Sequence, residues 1–253
     1  MATRADLQIF DDRLAMARAA AGQIINLAQK AIDAHDIFRL ALSGGSTPRP
    51  LHEVLSQPDH SGQINWAKVQ IFWGDERCVP PSDTESNYRM AVETLLDHIP
   101  IPASHIHRIR GELPPQQAAA DYQQQMAEQF GVAPDETGQP LPRFDLILLG
   151  LGPDGHTASL FPNSQALEEN SRWVTWLPHD QGPEPLVPRV TLTMPVIQAA
   201  RQVIFIVSGE EKASRLAEVM SPSKGKPLPA QLARPTDGNL LWMVDRAAAS
   251  GLE

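Results

Sequence analysis

Apolar side chains recur at Leu14, Ala17, Ala21, Ile24, Ile25, Ala28 and Ile32, a 3.6-residue period that predicts one amphipathic packing helix over residues 11–36. The pattern then changes. Seven short apolar or β-branched runs follow, at 38–42, 69–73, 144–149, 173–177, 190–194, 203–207 and 240–244, most with little polar alternation. Such runs predict strands covered on both faces. Helical periodicity returns between several of them, at 87–96, 116–130 and 210–220. Alternating strand and helix predict an α/β fold whose mainly parallel sheet is joined by right-handed crossovers. Proline-rich stretches at 131–143, 178–188 and 221–235 predict surface loops. None is long or polar enough to divide the chain and no repeat is visible, so residues 1–253 are expected to form a single domain.

Composition narrows the function. A chain of 253 residues can bury a substantial core, and its 23 prolines favour many loops. The formal net charge of −9 argues against nucleic acid or an anionic membrane as the main partner, because both reward a basic surface. An anionic ligand must then be held by local cations. The single cysteine, Cys78, rules out an intrachain disulfide, suits a reducing compartment and reads as a small half-buried residue rather than a nucleophile. Met1-Ala2-Thr3-Arg4-Ala5-Asp6 lacks the apolar core of a leader, and no run approaches the ~18 apolar residues of a membrane span, so a soluble, cytoplasmic protein is expected.

Candidate chemistry collects where strands end. The run Phe144-Asp145-Leu146-Ile147-Leu148-Leu149 breaks directly into Gly150-Leu151-Gly152-Pro153-Asp154-Gly155-His156-Thr157, which offers a general base and a carboxylate at the edge where parallel sheets bind ligands. The three glycines satisfy G-x-G-x-x-G, but Asp154 would set a negative charge against a pyrophosphate and Pro162 interrupts the following helix, so a dinucleotide is not expected. Asp154 and His156 lack a third metal ligand, and no metal or other cofactor is expected. The other histidines, His35, His52, His60, His98, His105, His107 and His179, read as structural or solvated.

An earlier strand ends in Leu42-Ser43-Gly44-Gly45-Ser46-Thr47-Pro48-Arg49, whose open backbone N–H groups suit a phosphate. A tight turn capped by Ser46 or Thr47 explains the same residues, and no Gly-Lys-Ser/Thr follows to make a nucleotide-binding loop. Another strand ends in Trp73-Gly74-Asp75-Glu76-Arg77, where a solvated turn is the simpler explanation and a ligand site the sharper one. Lys212, in the first turn of a helix, opposes the helix dipole by roughly 0.3–1 kcal/mol, a penalty that a bound anion would remove. Arg189 is a further cation near a strand.

Taken together, these segments resemble the 6-phosphogluconolactonase family. The resemblance is carried by Ser43-Gly44-Gly45-Ser46-Thr47-Pro48, by Trp73-Gly74-Asp75-Glu76-Arg77-Cys78-Val79-Pro80 with Ser86-Asn87 downstream, and by residues 150–162. Arg189-Val190-Thr191-Leu192-Thr193 and Gly209-Glu210-Glu211-Lys212-Ala213 extend it over nearly the whole chain. The resemblance implies a doubly wound, modified Rossmann-like sheet with helices on both faces, shared with glucosamine-6-phosphate deaminase. It also implies hydrolysis of 6-phospho-D-glucono-1,5-lactone in the oxidative pentose phosphate pathway. By position, His156 corresponds to the catalytic histidine, with either Asp154 or Asp75 orienting it or the sugar hydroxyls. Arg189 and Lys212 with the Ser43, Gly44, Gly45, Ser46 and Thr47 loop correspond to the 6-phosphate site, and Arg77 reaches the substrate as well. The deaminase is the nearest rival, but its segment continues to Asn-Glu-Pro, whereas here Leu160-Phe161 precede Pro162. A phosphosugar sensor without turnover is the alternative from another class. The expected partner is a small phosphosugar lactone, bound by a monomer or small homo-oligomer.

Overall fold

A computed structural model describes residues 5–133, 135–222 and 225–252. The strands in chain order are β1 (Ala5–Phe10), β2 (Phe38–Leu42), β3 (Val69–Trp73), β4 (Asp75–Arg77), β5 (Leu146–Leu149), β6 (Val174–Leu177), β7 (Arg189–Leu192), β8 (Gln202–Val207) and β9 (Asn239–Asp245). The helices are α1 (Arg13–His35), α2 (Arg49–Ser56), α3 (Pro58–Ser61), α4 (Asn87–Thr94), α5 (Pro115–Phe130), α6 (Gln165–Glu168), α7 (Met194–Ala199), α8 (Ala213–Met220) and α9 (Pro229–Leu232).

The long helix forms where its periodicity predicts. Asp12 caps α1 by accepting a hydrogen bond from the Ala15 N–H at 2.8 Å, and Asp36 ends it in a left-handed conformation at φ 65°. Its buried stripe is Met16, Ala17, Ala20, Ala21, Ile24, Ala28 and Ala31, five of them alanines that let the helix lie close to the sheet. Leu14, counted in the period, is instead exposed. No helix among the described residues is long and apolar enough to cross a membrane.

Six strands form an all-parallel sheet in the order β1-β9-β8-β5-β2-β3. From β2 the chain steps outward to β3, whereas from β5 it steps the other way through β8 to β9. Right-handed crossovers then send the connections to opposite faces, so the loops leaving β2 and β5 diverge and open a crevice. β5 and β8 are buried at every position, as their unbroken apolar runs predict.

Four expectations change. The opening strand β1 was not foreseen: Asp6 and Gln8 interrupt its apolar residues, and Leu7 and Ile9 are exposed on the sheet edge. The runs at 173–177 and 190–194 leave the parallel sheet and pair antiparallel as β6 and β7. The charged segment Asp75-Glu76-Arg77 is no solvated turn but β4, completing that three-stranded sheet in the order β4-β7-β6. Gly74 joins the two sheets, its N–H bonded to the Leu42 carbonyl at 2.9 Å and its carbonyl to the Leu192 N–H at 2.8 Å. The loop expected at 221–235 contains α9. Residues 1–4, 134, 223, 224 and 253, which fall in the N-terminus read for a leader, two of the expected loops and the far end of the expected single domain, lie outside the described residues.

Candidate active site

The β2 and β5 loops meet the second sheet around a cleft of about 470 Å³. Its walls contain Ser43, Gly44, Gly45, Ser46 and Thr47 from the β2 loop, His156 from the β5 loop, Asp75, Arg77 and Arg189 from the second sheet, and Lys212 beyond β8. Asp154 lines a neighbouring depression and touches the site through His156. Five segments, spread from residue 43 to residue 212, therefore converge at the carboxyl edge of the sheet, around a volume suited to a small metabolite.

One oxygen of Asp154 accepts two hydrogen bonds, from the His156 backbone N–H at 3.1 Å and from its ring Nδ1 at 2.5 Å. With the carboxylate ionised, Nδ1 carries the proton, and the Nε2 lone pair is left to take another. Although burial opposes its charge, Asp154 is held below the usual carboxylate range by the hydrogen bond and charge of His156 and by backbone N–H groups. Gly152 explains how the imidazole fits. A Cβ there would lie 2.1 Å from both Cε1 and Nδ1 of His156, so only glycine permits the ring to rest on the backbone. On its other side His156 packs against Phe161, with ring centroids 4.3 Å apart, and Phe161 stacks in turn on His179.

Asp75, the other carboxylate considered for His156, is engaged elsewhere. It is buried and accepts from Ser159 Oγ at 2.6 Å, while its carbonyl accepts from Asn87 Nδ2 at 2.9 Å. Neighbouring Glu76 accepts from the N–H groups of Arg77, Asn87 and Tyr88 and from Ser86 Oγ, fastening β4 to the start of α4. Burial nevertheless pushes its carboxyl up to about 6, against the pull of those N–H groups. Asn87 also explains Gly44, because a Cβ there would lie 1.8 Å from Asn87 Oδ1. The glycine loop is thus shaped by a side chain from α4. Neither Ser46 nor Thr47 caps α2, whose N-terminus is instead marked by Pro48 and Pro50.

The cations come from two directions. Arg77 and Arg189 stand opposite each other in the β4–β7 register. Arg77 Nη1 donates to the Glu85 carbonyl at 2.7 Å and Arg189 Nη2 to the Pro185 carbonyl at 2.8 Å, while the Nε of each is buried without an acceptor. Lys212 lies in a 3₁₀ turn, Glu210–Lys212, at the cap of α8 rather than inside its first turn. Asn87, Arg13, Pro183 and Glu184 also line the cleft and were not among the expected site residues. Ser86-Asn87 had appeared in the motif but without a role, and Arg13 gives no signal beyond heading a helix. Among the described residues no three His, Cys, Asp or Glu side chains gather as a metal site. Buried His52, His107 and His179 are structural rather than solvated, and burial pushes the Cys78 thiol up to about 11.

The chain is similar to known proteins over nearly its whole length. Residues 11–242 match the family model described as glucosamine-6-phosphate isomerases/6-phosphogluconolactonase. A 6-phosphogluconolactonase of Nostoc sp. is 38% identical over 248 residues, covering 97% of this chain and 98% of that protein. The structure of 6-phosphogluconolactonase from Trypanosoma cruzi superposes with a TM-score of 0.87 at 29% identity, covering 100% of this chain and 98% of that one. A monomeric glucosamine-6-phosphate deaminase, with a TM-score of 0.78 and 16% identity over 97% of this chain and 99% of its own, shares the fold.

Proposed function

The chain belongs to the glucosamine-6-phosphate isomerase/6-phosphogluconolactonase family, and from that premise we propose that its cleft hydrolyses 6-phospho-D-glucono-1,5-lactone to 6-phospho-D-gluconate in the oxidative pentose phosphate pathway. The observation that carries the reading is the Asp154–His156 pair, seated on Gly152 in a cleft with four cationic side chains.

His156 Nε2 takes a proton from water as the water oxygen bonds to C1 of the lactone. The C1–O5 bond then breaks, and the imidazolium returns its proton to the departing ring oxygen. The carboxylic acid so formed ionises in solvent. Asp154 holds the Nδ1 proton throughout and balances the transient positive ring. Arg189, Lys212 and the N–H groups of the 43–47 loop bind the 6-phosphate, and Arg77 reaches the same anion. Asp75, braced by Ser159, accepts from a sugar hydroxyl. Ring opening by a deaminase would need a carboxylate where this chain has Phe161, which is buried and packs on His156. We further propose that residues 1–253 work as one domain, as a monomer or small homo-oligomer in the cytoplasm, consistent with a single hindered thiol.

The test generates the lactone in situ and follows acid release above the spontaneous rate. Acceleration by the wild type that is lost in His156→Ala is the expected result. No acceleration overturns the reading; ammonia release from glucosamine 6-phosphate would then establish the deaminase, and phosphosugar binding without turnover a sensor.

A further inference from the structure

We propose that Arg13, at the head of α1, is a further specificity-determining residue that grips the substrate's phosphate together with the 43–47 loop; this rests on the lactonase reading above. Arg13 lines the cleft from the end of the chain opposite to Arg189 and Lys212. Its Nη2 donates to the carbonyl of Ser46, which braces the guanidinium against the glycine loop. Its Nε is buried and finds no acceptor. Among the described residues no carboxylate lies within ion-pair distance of it.

Arg77 and Arg189 are braced in the same way, although the Glu85 carboxylate also lies 3.5 Å from Arg77 Nη1. Each of the three arginines in the cleft gives a terminal N–H to a loop carbonyl, from Ser46, Glu85 or Pro185, and keeps a buried Nε–H unmatched. A guanidinium braced through one terminal nitrogen and through a buried Nε holds its other terminal N–H groups in a fixed orientation, and a phosphate oxygen matches these in geometry as well as charge. The short hydroxyl and glycine residues beside Arg13 leave backbone N–H groups for the remaining oxygens. Arg13 therefore discriminates phosphorylated from non-phosphorylated sugar lactones, and it acts on binding rather than on the proton transfer at His156.

Calorimetry with 6-phosphogluconate and with inorganic phosphate tests this without needing turnover. Arg13→Met is expected to weaken both about tenfold or more, Arg13→Lys to weaken them less, and Arg18→Met, an exposed change farther along α1, to leave them as in the wild type. In steady state the Arg13→Met loss falls on KM for the phosphorylated lactone, so its kcat/KM preference over the non-phosphorylated lactone drops about tenfold. Equal losses on both lactones with a lowered thermal midpoint would make Arg13 only a loop brace and overturn the proposal, as would binding within threefold of wild type. Wild-type binding of 6-phosphogluconate without lactone hydrolysis would overturn the function reading while leaving the phosphate contact standing.

Discussion

Strand β5 has an aspartate–histidine pair at each end, and the two pairs do opposite things. Before the strand, Asp145 is buried and its oxygens meet His35 Nε2 at 3.0 Å, Arg201 Nε at 3.2 Å and the Arg39 N–H at 2.9 Å. The carboxylate there is engaged by protein groups on both oxygens, and the cluster ties α1, β2 and β5 together. After the strand, Asp154 and His156 hold only each other, so Nε2 remains available in a cleft. The same residue types thus make a rivet at the amino edge and the pair we propose as a proton relay at the carboxyl edge. What separates them is the setting: diverging loops open a cleft at the carboxyl edge, whereas at the amino edge Arg201 and the Arg39 N–H engage the carboxylate beside His35.

The largest expected contrast is between the two histidines. His156→Ala is expected to lower kcat about 10²–10⁴-fold, whereas His35→Ala should leave turnover within about twofold, since Arg39 and Arg201 still compensate Asp145; steady-state lactone assays of both variants check this. Gly152→Ala, which drives a methyl group into the imidazole, should cost roughly 10²-fold in kcat without a comparable change in unfolding midpoint. Among the carboxylates, Asp154→Asn is expected to reduce kcat roughly tenfold. Asp145→Ala should spare catalysis but lose roughly 1–3 kcal/mol by stranding the Arg39 N–H, as read by urea denaturation.

Buried His52 sharpens the comparison further because it has no carboxylate partner. Its Nδ1 meets Thr94 Oγ1 at 3.1 Å, and burial, with Arg49 nearby, lowers its pKa to about 4 from 6.5. The unfolded chain takes up this proton where the folded chain does not, so the associated stability is whole above about pH 6.5 and drains away as the pH falls toward 4. His52→Leu should flatten the acid limb of a plot of melting temperature against pH. The smallest effect is expected at Cys78, whose thiol is pushed up to about 11; Cys78→Ala should keep activity within about twofold.

Much of this was legible along the chain. The period of α1, the unbroken apolar runs of β5 and β8, and the glycine breaks after β2 and β5 are local patterns set by helix geometry, burial on both faces and turn conformation. They fixed the α/β class and marked His156, Asp154 and the 43–47 loop. β1 escaped because a six-residue edge strand with exposed Leu7 and Ile9 has no buried face to write into its pattern. The choice between Asp154 and Asp75 as partner of His156 was open in sequence, since both follow strands; Ser159, 84 residues from Asp75, engages one and leaves the other. The pairing of Arg77 with Arg189 and the delivery of Arg13 to Ser46 were likewise settled only by packing. Local pattern determines which segments become strands, helices and turns. Which strand ends stand side by side depends on crossover handedness and on contacts between residues far apart in the chain, and that decided the site.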